Sequence, residues 1–301
     1  MKVIVGHNAP DLDVITSVWL IRKFLPGWEN ATLKFVPAGN RLEGSLPGEK
    51  IKDPIERIEG DEVIHVDTGL GPLDHHQTPD TNVCAASLVW DYVRSKNPAF
   101  DESGNKESER TEHKEEAINR MVAVVIEDDH FKEVFYPDSK ADYFEFLLHG
   151  IVDGLKLQKP GDDEFVVNFA SECLDAILHN FENRVWAEEE IKKVGREFDT
   201  TWGKGLGLET INDDTIKLAQ KMGYKVVVRR DPRKGYVRIK AVPGSDVDLT
   251  PVYELLKKKD PNATWFLHVS KKMLLNGTLK NPKMKPTVLS LSDIIDVLKS
   301  I

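Results

Sequence analysis

Residues 1–27, MKVIVGHNAPDLDVITSVWLIRKFLPG, decide the fold class. Lys2 to Val5 is a short apolar run suited to a buried strand, and His7 to Asp13 is the polar, proline-marked loop after it. From Val14 the apolar residues Ile15, Val18, Trp19, Ile21 and Leu25 recur at helical spacing until Pro26 stops them. Further strands are predicted over Thr32 to Pro37 and Glu62 to Val66, the second ending at Asp67-Thr68-Gly69, and helices over Ala85 to Arg94 and Ala117 to Ile126. This succession is an α/β pattern with a parallel sheet, in which ligands gather beyond the carboxyl ends of the strands. The segments richest in chemistry, HNAPDLD (7–13) and HVDTGLGPLDHH (65–76), fall there.

At 301 residues the chain is long enough for roughly two domains with cores of their own. A content of 40% hydrophobic and 30% charged residues describes a soluble globular protein. MKVIVG has no charged leader or long apolar stretch after it, so neither a signal peptide nor a transmembrane helix is expected, and the expected location is the cytoplasm. The two cysteines, Cys84 and Cys173, have no CxxC partner and read as buried thiols. Charge is uneven along the chain. Asp214 to Ile301 holds 18 Lys and Arg against 8 Asp and Glu, leaving 23 against 42 for the rest. Cations collected by the acidic part would offset its excess, while the basic part suits a phosphate-bearing substrate.

Further along, Phe100 to Glu116 reads as a charged, exposed excursion and Tyr143 to Leu157 as a helix. Lys159-Pro160-Gly161 marks the predicted division into domains, 1–160 and 161–301. Glu164 to Phe198 reads as one or two long helices, Gly203 to Gly207 (GKGLG) as a flexible connector, and Lys225 to Arg230 with Tyr236 to Val242 as strands around a turn. A helix over Val252 to Lys258, a strand over Thr264 to Val269 and a final helix over Ser292 to Leu298 follow. GKGLG lacks both the GK[ST] ending and the preceding apolar strand of a phosphate loop. His65 is expected to be packed, and His113, His149 and His179 to be structural.

Asp11 and Asp13 alternate with Leu12 just before a helix, where an aspartate commonly acts as an N-cap. His7 four residues earlier, Asp67 at the end of an apolar strand, and the triplet Asp74-His75-His76 point instead to a cation site, because a buried carboxylate needs a partner. Mixed imidazole and carboxylate ligands favour Mn2+, with Mg2+ or Co2+ as substitutes, whereas a structural zinc site more often recruits thiolates. Two hard cations suit phosphate ester chemistry.

These motifs resemble the DHH phosphoesterase superfamily: HxxxDxD in His7 to Asp13, the strand-end Asp67, the triplet Asp74-His75-His76, and an aspartate after a later helix, in that order over about the first half of the chain. The resemblance implies an N-terminal DHH domain that binds two Mn2+ and a smaller C-terminal α/β domain, reached through a helical connector, that grips substrate. It implies that His7 and Asp11 hold one metal, that Asp13, His75 and Asp129 hold the other, and that Asp67 bridges them. Asp74 would orient an imidazole, and His76 would contact the phosphate or protonate the leaving group. Asp128 and Asp129 are adjacent, which leaves Asp128 open as the fourth-motif ligand.

Asp67 and the triplet are only seven residues apart, and Asp74 to Gln77 is followed much later by WFLHVSKKMLLNG (265–277). Both features resemble the melanocyte-proliferating-gene type of 3′–5′ exonuclease, which carries a different first motif. In the C-terminal part His268, Lys271, Lys272, Asn276, Gly277 and Lys280 are the expected substrate-binding residues, and Trp265, Tyr236 and Phe266 the candidates for base stacking. Arg229, Arg230, Arg233 and Lys234 are expected to form a solvated hairpin. The expected activity is Mn2+-dependent hydrolysis of phosphodiester bonds in short oligonucleotides or nucleotides. The alternatives are an inorganic pyrophosphatase or small nucleotide phosphatase, and a metal-dependent nucleotide sensor without turnover. The expected partners are a short nucleic acid or nucleotide and a second copy in a homodimer, with no membrane.

Overall fold

The computed structural model describes residues 1–100, 108–277, 281 and 283–301. It is mixed α/β, with two sheets and eight α-helices among the described residues. The chain divides into two units, Met1–Glu182 and Asn183–Ile301.

In the first unit β1 (Lys2–His7), β2 (Thr32–Val36), β3 (Glu56–Ile58) and β4 (Asp61–His65) form a sheet in the order β2-β1-β4-β3. β1 is parallel to both β2 and β4, and β3 adds an antiparallel edge. Side chains alternate across a strand. Ile4 and Ile64 therefore enter the main core on one face, while Val3, Val5 and Val63 meet Val36 and Ile58 on the other. α1 (Leu12–Phe24) is buried almost all round, Arg22 and Lys23 apart, and its apolar residues sit inside that main core. α2 (Ala85–Lys96), α3 (Ser108–Asp129), α4 (Leu148–Gln158) and α5 (Asp163–Val194) contribute the rest. Trp19, Phe24, Trp90 and Phe100 meet edge to face at 5.1–6.0 Å between ring centroids.

The second unit holds β5 (Arg196–Thr200), β6 (Gly203–Glu209), β7 (Val226–Arg230), β8 (Val237–Ala241), β9 (Trp265–Leu267) and β10 (Met273–Asn276), in the order β5-β6-β7-β8-β10-β9. Only β6 and β7 are parallel, and α6 (Asp214–Lys221) supplies the crossover this requires. α7 (Thr250–Lys259) and α8 (Leu291–Lys299) complete the unit.

Several expectations change. α3 begins inside the stretch expected to be an exposed excursion, because good helix formers and pairs such as Glu116–Arg120 (2.7 Å) extend it back from its apolar part; residues 101–107 of that stretch lie outside the described residues. α5 ends at Val194, and Phe198 belongs to strand β5. GKGLG is part of strand β6 and no connector. A Cβ at Gly205 would lie 2.5 Å from the Phe198 ring and one at Gly207 2.6 Å from Ile295, so these glycines let neighbouring side chains pack down on the strand. The division between units falls later than Lys159-Pro160-Gly161. Val166, Val167, Ala170, Leu174 and Leu178 of α5 join the first core, whereas Ala187 and Ile191 belong to a cluster of the second unit. Among the described residues no helix is long and apolar enough to cross a membrane.

Candidate metal centre

Parallel pairing of β1 with β4 places Val5 beside His65, and the Val66 N–H continues the ladder by donating to Val5 O at 2.9 Å. His7, the last residue of β1, and Asp67, two residues beyond the end of β4, therefore come together. His7 Nε2 lies 3.3 Å from Asp67 Oδ2 and 3.5 Å from Asp11 Oδ2. Asp11 serves both readings of its position: Oδ1 accepts from the Asp13 and Val14 N–H groups as the N-cap of α1, leaving Oδ2 for His7. His7 Nδ1 lies 2.9 Å from Asn8 O, a contact that holds the proton of the neutral ring there and leaves Nε2 as a free ligand atom.

The other side is deeper. Asp13 is 2% exposed and accepts from the Ala85 and Ala86 N–H groups at the start of α2, at 2.7 and 2.6 Å. His75 Nε2 lies 3.4 Å from Asp67 Oδ1, 3.5 Å from Asp129 Oδ2 and 3.8 Å from Asp13 Oδ2. Asp67 Oδ1, His75 Nε2 and Asp129 Oδ2 are all buried without a hydrogen-bond partner. Three orphaned polar atoms converging on one point are costly unless something charged sits between them. Ligand atoms about 2.1 Å from one cation lie about 3.0–3.5 Å from each other, so the donor set fits divalent ions. His7, Asp11 and Asp67 form one such group, Asp67, His75 and His76 a second, and His75, Asp129 and His130 a third.

The protonation equilibria have the same cause. Burial opposes a charged ring at His7, but hydrogen bonds to Asp11 and Asp67 outweigh it and raise its pKa to about 11. The Asp67 carboxylate, 3.4 Å away, raises His75 to about 9 against the cost of burial. Burial and the neighbouring Asp67 charge push the Asp13 carboxyl well up, and burial raises Asp129. Burial would raise Asp11 too, but His7 holds it below the ordinary range. Where no cation is bound, protons neutralise this cluster.

Asp74 accepts from Leu70 N (2.7 Å) and His76 N (3.0 Å), and its Oδ1 lies 2.8 Å from His76 Nδ1. The imidazole it orients is thus that of His76, whose side chain is 57% exposed. His75 and His76 stack at 4.5 Å. Of the adjacent aspartates, Asp129 faces His75, while Asp128 pairs with His149 Nδ1 at 3.0 Å. Burial raises Asp128 to about 6, against the His149 charge. His149, read as structural from its helical setting, therefore lies beside the centre. It lines a cavity of about 230 Å³ together with Asp11, Asp13, Asp128, Asp129 and Phe131. His130 also escaped the sequence reading: its Nε2 lies 3.0 Å from Val83 O and 3.6 Å from Asp129. Adjacency to Asp129 was the only available signal for it. His65 is packed, as expected: Nε2 accepts from Leu42 N, Nδ1 faces Glu56 Oε1 at 3.1 Å, and burial drives its pKa down to about 3.

The C-terminal candidates fare differently. Asn276 is fully buried, its amide donates to Thr264 O and Lys285 O, and its oxygen accepts from Thr287 N, so no donor remains for a substrate. Gly277 packs against the Tyr236 ring at a φ of 83°, which leaves that ring half-buried. Trp265 is buried in the second unit's core, so it offers no stacking face, whereas Phe266 is half-exposed. Lys271 pairs with Asp248 at 3.0 Å, Lys272 donates to Val247 O, and His268 Nδ1 lies 2.8 Å from Ser270 Oγ. Lys280 lies outside the described residues. Of the hairpin expected to be solvated, Arg229 is buried on Asp213 (2.7 Å) and Arg230 pairs with Glu209 (2.5 Å).

No family model matches the chain. A stretch of 66 residues, 21% of this chain, is 41% identical to one subunit of the F420-non-reducing hydrogenase of Methanothermobacter marburgensis and equally to its counterpart in Methanothermobacter thermautotrophicus. The match spans 14% of the length of those relatives. Among solved structures, the crystal structure of a Methanococcus jannaschii protein assigned as a family II inorganic pyrophosphatase aligns over 99% of both chains, at 16% identity and a TM-score of 0.20. A likeness of that strength decides neither fold nor chemistry.

Proposed function

We propose that the chain is a metal-dependent phosphoesterase of the DHH type that hydrolyses phosphodiester bonds of short oligonucleotides or nucleotides from a 3′ end. The observation that carries this reading is the convergence of the partnerless, buried Asp67 Oδ1, His75 Nε2 and Asp129 Oδ2 beside the His7, Asp11 and Asp67 group. His7 and Asp11 would hold one Mn2+, Asp13, His75 and Asp129 the other, and Asp67 would offer one carboxylate oxygen to each. Two such ions supply Lewis acidity, which lowers the pKa of a water and neutralises phosphoryl oxygens. The chain's own part is positional. Asp74 holds the His76 ring by Nδ1, so Nε2 of this exposed side chain, in the imidazolium form, can donate to a phosphoryl or leaving-group oxygen. Asp13, fixed by two backbone N–H groups, keeps its geometry when the ligands fill.

The test is hydrolysis of pyrophosphate, a cyclic dinucleotide, a dinucleotide and a longer single-stranded RNA, assayed side by side with Mn2+ after chelation. Preference for the dinucleotide is expected. Preference for pyrophosphate would reassign the substrate, and full turnover with all divalent ions stripped would end the two-metal reading. His76→Ala is expected to lower kcat by about 10²- to 10⁴-fold. Mn2+ affinity is measured alongside: His76 Nδ1 lies 2.8 Å from Asp74 Oδ1 but also 3.5 Å from Asp67 Oδ1, so weakened binding in place of a lowered kcat would make the ring a ligand. An unchanged kcat would remove His76 from the proton path.

A further inference from the structure

Asp67 and Leu70 both adopt left-handed backbone, at φ 52° and 54°, with Gly69 between them at 76°. Such a conformation in a non-glycine residue persists only where the surroundings hold it. The loop that does this also leads into Asp74, His75 and His76, so its position sets the candidate centre. Within the loop, Asp67 N–H donates to Leu73 O (3.0 Å) and Gly71 O accepts from Asp74 N (3.2 Å) and Gln77 Nε2 (3.1 Å). Outside it, one side chain reaches across. Arg41 Nη1 donates to Gly69 O at 3.3 Å, while Nη2 pairs with Glu56 Oε1 and lies 3.1 Å from His65 Nδ1. The arginine stem lies where side chains are missing from the loop: a Cβ at Gly69 would come within 2.2 Å of Arg41 Cγ, and one at Gly71 within 2.8 Å of Nη1. Thr68 Oγ1 donates to Asn40 O at 2.9 Å, which ties the same two segments together a second time.

The pair is expensive to keep as mere packing. The Arg41 and Glu56 side chains are only 10% and 8% exposed, and burying two charges offsets much of their attraction. His65 is 2% exposed and turns Nδ1 towards the same Glu56 oxygen. Charge, shape and hydrogen bonding are thus all directed at one loop.

We propose that Arg41 is a positioning residue for the metal pair. Anchored by Glu56, it fixes the loop from Asp67 to Gly71 so that the two Asp67 oxygens face the His7 and His75 sides at once. This rests on the two-metal reading of the same site. Arg41 touches neither substrate nor metal; it acts through the backbone of Gly69.

Arg41→Lys retains the charge but lacks the fork that reaches Gly69 O and Glu56 together. Mn2+ titration of the metal-free chain by calorimetry is expected to show binding weakened by about 10- to 100-fold. The melting temperature with chelator should change little, while the rise on adding Mn2+ shrinks. A role in fold stability alone predicts the reverse: a lower metal-free melting temperature with Mn2+ affinity equal to that of the unmodified chain, which would overturn the proposal. If Arg41→Lys does not fold, Glu56→Gln keeps the anchor's shape without its charge; weaker Mn2+ binding is expected there too, and unchanged binding overturns the proposal. An unmodified chain that takes up no Mn2+ would remove the two-metal reading itself, and this inference with it.

Discussion

Asp67→Asn is expected to lower kcat/KM by at least about 10³-fold and to prevent the second Mn2+ from binding. The two oxygens of this carboxylate face different partners, Oδ2 towards His7 Nε2 at 3.3 Å and Oδ1 towards His75 Nε2 at 3.4 Å. An amide offers a single acceptor oxygen and carries no charge, so it can serve one side only. Losing the shared ligand removes several kcal/mol of charge stabilisation, and about 4 kcal/mol corresponds to 10³ in rate. The fold should survive. Asn tolerates left-handed backbone as well as Asp does, and the hydrogen bond from the residue 67 N–H to Leu73 O does not involve the side chain. Calorimetry should count about one Mn2+ per chain in place of two, and melting with chelator should stay cooperative. Two tightly bound Mn2+ with near-normal turnover would show that Asp67 is not shared.

Mn2+ affinity should rise steeply with pH, and the stability of the metal-free chain should fall over the same range. At neutral pH His7 and His75, with pKa values of about 11 and about 9, carry protons in the folded metal-free chain. Ligation requires neutral rings, so each site must release a proton to bind its metal. The apparent affinity of each site should therefore gain about tenfold per pH unit while its ring is protonated. The stability argument has a definite sign. An unfolded histidine titrates near 6.5, so above that value the folded chain binds more protons than the unfolded one, and stability declines with rising pH. That contribution is complete below about 6.5 and is lost through about 9 for His75 and about 11 for His7. Asp13, also raised by burial and the Asp67 charge, acts in the same direction. Melting with chelator between pH 6.5 and 9.5 should show a falling midpoint, and saturating Mn2+ should cancel the fall. Calorimetry at pH 7 in buffers of different ionisation enthalpy should detect the released protons. A flat midpoint with chelator would mean that the rings are already neutral and the cluster less charged than its geometry requires.

Much of the first unit was legible because its signals are local. β1, the loop after it and α1 follow from an apolar run, a proline-marked turn and a helical period in consecutive residues. The second unit was less so. The strand expected over Thr264 to Val269 is β9, but β10 is only four residues long, too short for alternation to stand out, and the glycines of β6 imitate a connector because the side chains that pack on them, Phe198 and Ile295, come from elsewhere in the chain. Asn276 illustrates the same limit: a polar residue beside lysines reads as a ligand group until three backbone partners take up its amide.

By itself the sequence pointed to most of the donors grouped at the candidate centre, His130 excepted, and to their place at the strand ends, since parallel neighbours end on the same side and bring His7 and Asp67 together. Tertiary structure decided which atoms of that set face one another. Consecutive residues on a helix point about 100° apart, so the last turn of α3 sends Asp129 to His75 and Asp128 to His149, a choice no spacing can make. It likewise decided that Asp11 both caps α1 and faces His7, and that Arg41, Glu56 and His65, which give no pattern in sequence, meet over the loop that carries Asp67. Such contacts depend on side-chain direction between distant segments, which exists only once the chain has packed.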